Sequence, residues 1–306
     1  MKWGGWAVLG VAMVSGGLWL VASAEAPAGQ AEPIAAAPES LMAAAEPATE
    51  GAEAAPEQAL EPAPPEAPLS APNPAAASPS ADGSCPDEMV LVDGDYCTDV
   101  RHTCREWLDD PKLPYARCKV YEPVAKCVGK RVALKYCIDR HEYTAPGDEL
   151  PLNHQSFMSG AKLCKAQGKR LCSEQEWNFA CEGEEMRPYP YGWERKPVCN
   201  QDQEDLYTMV KGRQQLKDRR KPAGELAECV SPFGVHDLAG NLDEPTLREG
   251  ATHNYPFRTA LKGGWWMAAR NRCRPATTAH DDHYEGIQVG VRCCADLPGE
   301  DQSPNG

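Results

Sequence analysis

No cysteine occurs in the first 84 residues of this 306-residue chain, and no Lys, Arg or His occurs between Glu25 and Ser84. The first absence excludes cross-linking there. The second excludes a basic arm for nucleic acid or anionic lipid. That stretch also has no aromatic residue; it is Ala, Pro and Glu, with ten acids from Glu25 to Asp82. Such a composition lacks the apolar surface to offset its ordering entropy, so residues 25–84 are expected to form a disordered, extended spacer. A long membrane-spanning run is missing as well. Trp6 to Val21 is apolar, longer than the about 7–15 residues of a secretory core but short of the ~20 that cross a bilayer. With Lys2 before it and Ala22-Ser23-Ala24 after it, residues 1–24 read as a signal peptide or an uncleaved signal anchor. Either way the remainder is exported, to periplasm, cell surface or medium, and it meets a membrane only if the anchor is retained.

The net charge of −14 changes meaning once the spacer is set apart. The spacer accounts for −10 and Lys2 offsets one, which leaves the rest at −5. A mildly acidic body of this kind does not read as a nucleic-acid binder.

All fourteen cysteines lie between Cys85 and Cys294. An even number in an exported protein argues for disulfides, here up to seven. No C-x2-C pair is present to suggest a zinc knuckle, and the one tight spacing is Cys293-Cys294. Counting alone leaves the connectivity open, since fourteen cysteines allow on the order of 10⁵ pairings. Residues 85–296 form one domain's worth of chain, and 297–306 read as a disordered tail. Regular structure looks sparse. Met89 to Tyr96 suggests a strand running into a turn at Asp93-Gly94, and Val132 to Ile138 suggests a second strand. Ser156 to Gln167 has helical spacing, with Gly168 as its stop. Ser173 followed by Glu176 is a capping box for another helix, which would turn Trp177 and Ala180 inward.

Four stretches carry more specific information: GKRLCSEQEW (Gly168–Trp177), SPFGVHDLAGNLDE (Ser231–Glu244), KGGWW (Lys262–Trp266) and VGVRCCAD (Val289–Asp296). In this order they resemble the sulfatase-modifying-factor family, which includes the formylglycine-generating enzymes. That family commonly shows GKRLPTEAEWE, a GLYDMxGNVWEW stretch, RGGSW and a GFR ending. The resemblance spans about Met89 to Asp296. It implies an α+β, C-type-lectin-like formylglycine-generating-enzyme fold with little regular secondary structure and many disulfides.

The resemblance also implies site residues. It places calcium at Asp237 and Glu244 through side chains and at Gly240 and Leu242 through carbonyls; the alternative is that these acids cap turns without an ion. A second calcium site would begin at Asn200. Two disulfides follow, Cys164–Cys293 and Cys181–Cys273. Where the family has Trp-Glu-Trp, this chain has Asp243-Glu244-Pro245. The family's two copper-binding thiolates lie between the GG motif and the cysteine matching Cys273, and no cysteine stands in Trp265–Arg272 here. Soft thiolates are what Cu(I) requires, so copper-dependent oxidation is not expected.

Other metal chemistry would have to come from His280 and His283, set among acids and suited to iron, or more weakly from His141 and Glu142 beside Asp139; the alternative is a solvated polar loop. Trp265 and Trp266 are candidates for a ligand floor or for core. Arg270, Arg272 and Arg274 are candidates for an anionic ligand, or for pairing with the surplus acids.

The expected function is therefore an exported, non-catalytic binding or scaffold module at the cell envelope, with an unknown protein, peptide or glycan ligand. The alternatives are an iron- or copper-dependent oxidoreductase of the same superfamily and a purely structural envelope protein.

Overall fold

The computed structural model describes residues 84–269 and 271–297. The signal segment, nearly all of the spacer, the tail beyond residue 297 and Arg270 lie outside the described residues. No helix among the described residues is long and apolar enough to cross a membrane.

In chain order the body contains β1 (Met89–Cys97), β2 (Val100–Arg101), β3 (Cys104–Trp107), β4 (Cys118–Tyr121), β5 (Lys126–Cys127) and β6 (Arg131–Asp139). Helix α1 (Phe157–Ala166), strand β7 (Arg170–Leu171) and helix α2 (Glu174–Glu182) follow. The remainder holds β8 (Tyr207–Val210), β9 (Arg213–Leu216), β10 (Glu244–Leu247), β11 (Thr259–Lys262) and β12 (Cys293–Ala295). The principal sheet has the order β1-β6-β12-β7, so the last strand inserts between segments far ahead of it in sequence. Four two-stranded sheets surround it, and long loops make up the rest.

Strand β1 does not turn at Asp93-Gly94. It pairs antiparallel with β6 over its full length, from Met89 opposite Asp139 to Cys97 opposite Arg131. Gly94 has another cause. A Cβ there would meet the Glu184 Oε1 at 2.5 Å and the Phe179 ring at 3.2 Å, so the glycine admits the end of α2 against the strand. Glu184 accepts the Asp95 N–H at 2.9 Å across that gap.

The second helix begins where its capping box predicts, and the first begins within the span its spacing marks. Ser156 caps α1 and Ser173 caps α2, each with a reciprocal box through the third residue of the helix. Gly168 sits one residue past the α1 cap at φ +72°, a left-handed conformation that glycine adopts without strain. Helix α2 departs from the amphipathic expectation, because every residue from Glu176 to Glu182 is buried. Strands β1, β6, β10 and β11 pack against it, and loops cover the rest. Its polar members survive burial by pairing: Glu182 with Arg274, and Glu176 with Arg170 at 2.6 Å.

Seven disulfides use all fourteen cysteines: Cys85–Cys137, Cys97–Cys127, Cys104–Cys118, Cys164–Cys293, Cys172–Cys294, Cys181–Cys273 and Cys199–Cys229. Both pairings implied by the family resemblance are among them. The adjacent Cys293 and Cys294 do not bond to each other. Successive strand residues point to opposite faces, so Cys293 reaches α1 on one side of β12 while Cys294 reaches the residue before the α2 cap on the other.

Loop-closure entropy ranks these bridges. The Cys164–Cys293 loop spans 129 residues and the Cys104–Cys118 loop spans 14. Replacing both members of the first pair by Ala should lower the unfolding free energy by roughly 5 kcal/mol, and of the second by roughly 3. Urea unfolding midpoints check this order; equal losses would show that chain entropy does not set it.

Candidate functional site

The loop Ser231–Glu244 is built on left-handed backbone at Asp237 (φ +62°), Gly240 (φ +87°) and Asn241 (φ +58°). These bends press the chain against Asn200, whose carbonyl would lie 2.2 Å from a Cβ on Gly240. They also bury a set of charges. Glu244 receives the Arg292 guanidinium on both oxygens, at 2.8 to 3.0 Å, and the Trp177 Nε1–H at 2.6 Å. Asp237 accepts the Gly224 N–H at 2.7 Å. Glu142 reaches in from the end of the principal sheet, where its carboxylate accepts the Leu242 N–H at 3.1 Å and the Asn241 side-chain amide. Asn200, the start of the expected second calcium site, is committed to the Asn241 side chain and the Arg219 carbonyl, both at 2.8 Å.

Three buried carboxylates thus lie near one guanidinium, which hydrogen-bonds Glu244 and acts on Asp237 and Glu142 through space. Burial pushes the Asp237 carboxyl up to about 6, against the pull of the Gly224 amide and Arg292. Burial, with Asp237 and Glu244 nearby, pushes Glu142 well above the usual carboxylate range. As arranged, the expected calcium ligands do not form an open oxygen cage, because the Arg292 guanidinium and the Trp177 N–H take the Glu244 oxygens. Among the described residues, no three or more His, Cys, Asp or Glu side chains are gathered to hold a metal ion. Calcium would need Glu244 to exchange partners.

The same limit applies to the other metal candidates. His280 stacks on Tyr284 with ring centroids 3.5 Å apart, whereas His283 Nε2 meets the Tyr255 hydroxyl at 3.1 Å. Asp282, fully buried between them in sequence, is tied to Arg258 at 2.7 Å. The His280–His283 loop is therefore organised by tyrosines and an ion pair. His141 packs at a tilt against His236, with ring centroids 4.9 Å apart, and burial lowers both imidazoles, His141 to about 4.

At the GG motif, Trp266 is fully buried and packs edge-on against Trp265 at 5.4 Å. Trp266 belongs to the interior, which is the core alternative for one of the pair, and neither tryptophan lines the cleft described next. Asn271 closes the turn that follows, donating to the Trp265 carbonyl at 2.6 Å and accepting from Ala269 N and Arg195. Lys262, where the family has arginine, is buried with its ammonium donating to the Arg274 carbonyl at 2.8 Å; burial lowers it to about 7.

Beyond that turn a cleft of about 510 Å³ opens between the Pro114–Cys118 segment and the Ala269–Ala279 segment, with Tyr189 and Arg195 between them. A second cavity of about 640 Å³ adjoins it, with Ala116, Arg272 and Pro275 lining both. Of the arginines expected at the site, Arg272 and Arg274 reach these cavities, and Arg270 lies outside the described residues. Arg117, Arg195 and Tyr189 belong to the cleft too, though no motif marked them. The one signal available was the aromatic run Tyr189-Pro-Tyr-Gly-Trp193. Both cysteines at the cleft's edge, Cys118 in its wall and Cys273 beside Arg272, are oxidised.

The buried acids make a pH-dependent prediction. A carboxyl raised in the folded state holds its proton more tightly there than in the unfolded chain. Its contribution is complete below about pH 4 and is lost as pH rises through about 6. Asn tolerates the left-handed backbone and can still accept the Gly224 N–H. In chelator-containing buffer, Asp237→Asn should therefore be more stable than wild type at pH 8 by up to about 2 kcal/mol, with the gain vanishing near pH 4. Thermal melts across pH check it. A loss at pH 8 that appears only when calcium is added back would assign Asp237 to an ion.

Comparisons with known proteins bear on the family of the chain. A family described as the sulfatase-modifying factor enzyme 1-like domain matches residues 105–297. Proteins called inactive C-alpha-formylglycine-generating enzyme 2, from Bos taurus and Mus musculus, are each 28% identical over 175 residues. The alignment takes in 50% of this chain and 53% and 52% of theirs, so the chain spans about half the length of the curated relatives it matches. Among solved structures, CarF is similar at 13% identity and a TM-score of 0.43, covering 68% of this chain and 98% of its own. PvdO from Pseudomonas aeruginosa is similar at 15% identity and a TM-score of 0.39, covering 68% and 94%. From the family match over residues 105–297, the chain belongs to the sulfatase-modifying factor enzyme 1-like family.

Proposed function

We propose that this chain is an exported, non-catalytic binding module of its family, displayed at the cell envelope, whose ligand enters the cleft beside Arg272. One observation carries the reading: every thiol of the chain is in a disulfide, including the two at the cleft. A copper-dependent oxidase needs reduced thiolates on an open metal, and the cleft instead offers guanidinium, phenol and proline. The name of the Bos taurus and Mus musculus relatives, inactive formylglycine-generating enzyme, supports the same reading. Seven disulfides belong to an oxidising compartment, which is consistent with export. Scaffolding without a ligand is the other non-catalytic role, and a cleft with charged walls favours binding over it.

Metal analysis of the purified protein by mass spectrometry, combined with incubation of a cysteine-containing peptide in aerated buffer, tests this. The expected outcome is no stoichiometric copper or iron, no formylglycine in the peptide and no free thiol after denaturation without reductant. Stoichiometric copper or iron together with peptide oxidation would overturn it; calcium alone would leave it standing.

A further inference from the structure

Five arginines line the cleft and the adjoining cavity; Arg117, Arg195 and Arg274 are engaged, and Arg101 lines only the adjoining cavity. Arg117 places Nε and Nη2 on the two oxygens of Asp109 at 2.8 Å and approaches Asp202 at 3.3 Å. Arg195 grips Asp202 through Nε and Nη2, both at 2.7 Å. Arg274 is held by Glu182 and by the carbonyls of Cys97 and Thr98. Arg272 has no carboxylate partner among the described residues. Its Nη1 donates to the Tyr121 hydroxyl at 2.7 Å, and its guanidinium carbon lies 6.0 Å from the centre of the Tyr121 ring.

The position of Arg272 gives that free charge a use. It stands at the wall common to both cavities, oriented by a phenol that burial keeps protonated. With one hydrogen-bonding edge committed to Tyr121, the rest of the fork can meet a carboxylate in bidentate fashion. Among the described residues, no second arginine without a carboxylate partner lines the cleft itself, since Arg101 lines only the adjoining cavity. Burial lowers the His102 imidazole in that adjoining cavity, and its Nε2 contacts the Met186 carbonyl at 2.7 Å. Asp109 and Asp202 balance the other two arginines of the cleft, and they would repel the second charge of a dianion. The remaining walls are mainly apolar or aromatic, from Pro114, Tyr115, Tyr189, Ala276 and Ala279, with Thr277 and Thr278 beside them.

We propose that this cleft binds a single carboxylate carried on an apolar or aromatic body, with the carboxylate seated on Arg272. The proposal rests on the binding-module reading above and names the chemistry of its ligand. The acid is either that of a free small molecule or that of a peptide, through its C-terminus or an acidic side chain. The recognition is the same in each case.

The test uses the intact protein and observes the Arg272 Nε–H resonance by ¹⁵N NMR while phenylacetate, phenylacetamide and phenyl phosphate are titrated separately. Phenylacetate should shift the signal saturably, phenylacetamide should not, and phenyl phosphate should bind no more tightly than phenylacetate. In calorimetry, Arg272→Gln should weaken phenylacetate on the order of ten- to a hundred-fold, and Arg272→Lys by less, because the ammonium keeps the charge without the fork. Acetyl-Phe-Ala with a free C-terminus, compared with acetyl-Phe-Glu amide, separates main-chain from side-chain acids. An acid and amide that bind alike, a tighter phenyl phosphate, or no saturable shift with phenylacetate up to its solubility limit would each overturn the proposal. The wild-type acid–amide comparison needs no variant, so a misfolded Arg272→Gln does not decide the matter. Copper or iron with peptide oxidation would sink the non-catalytic reading while leaving this selectivity intact; an acid–amide tie does the reverse.

Discussion

The fold is organised around one buried ion pair, Arg292 with Glu244. A charge in an apolar interior is tolerated only when its hydrogen-bonding groups are met, and Arg292 meets that condition with three segments at once. It binds both Glu244 oxygens at the head of β10, the Asp139 carbonyl at the end of β6 and the His236 carbonyl in the acidic loop. Trp177 adds α2 to the same point through Glu244. Removing either charge would leave the other stranded, at a cost on the order of 3–5 kcal/mol. So much of this chain is loop that no extended ladder could do this joining; a single side chain with a five-donor fork does it instead.

Local rules were legible in the sequence wherever a short segment decides its own conformation. The cap at Ser173, the helical span from Ser156, the stop at Gly168 and the second long strand are of that kind. Gly94 was not, because its reason lies with Glu184 and Phe179, about ninety positions away in sequence. Helix α2 was read with one inner face, but burial on all sides follows from strands and loops that its own periodicity does not announce. Of the seven bridges, two were legible through the family resemblance; the other five depend on which segments fold back together.

The candidate site divides the same way. Asp237 and Glu244 stood in a recognisable motif and Arg272 a few residues past another, so their neighbourhood could be read, although the engagement of Glu244 by Arg292 could not. Arg117 and Arg195 come from an unmarked hairpin and an aromatic loop, and only the fold brings them to the cleft. Cys104–Cys118 fastens one wall of that cleft and Cys181–Cys273 the other. Walls fixed covalently lose little conformational freedom when a ligand arrives, which favours affinity from few contacts.

The vicinal pair Cys293-Cys294 has a consequence for how the chain matures. A slip of β12 by one residue exchanges its two faces, presenting Cys294 to α1 and Cys293 to the α2 side. Only one of the two bonds could then close at its native place, because the other cysteine is carried two residues, about 7 Å, along the strand from its partner. The residue just upstream, Arg292, adds a second check, since in the native register it reaches Glu244. Register at the last strand is thus marked twice, once covalently by the vicinal pair and once by an ion pair.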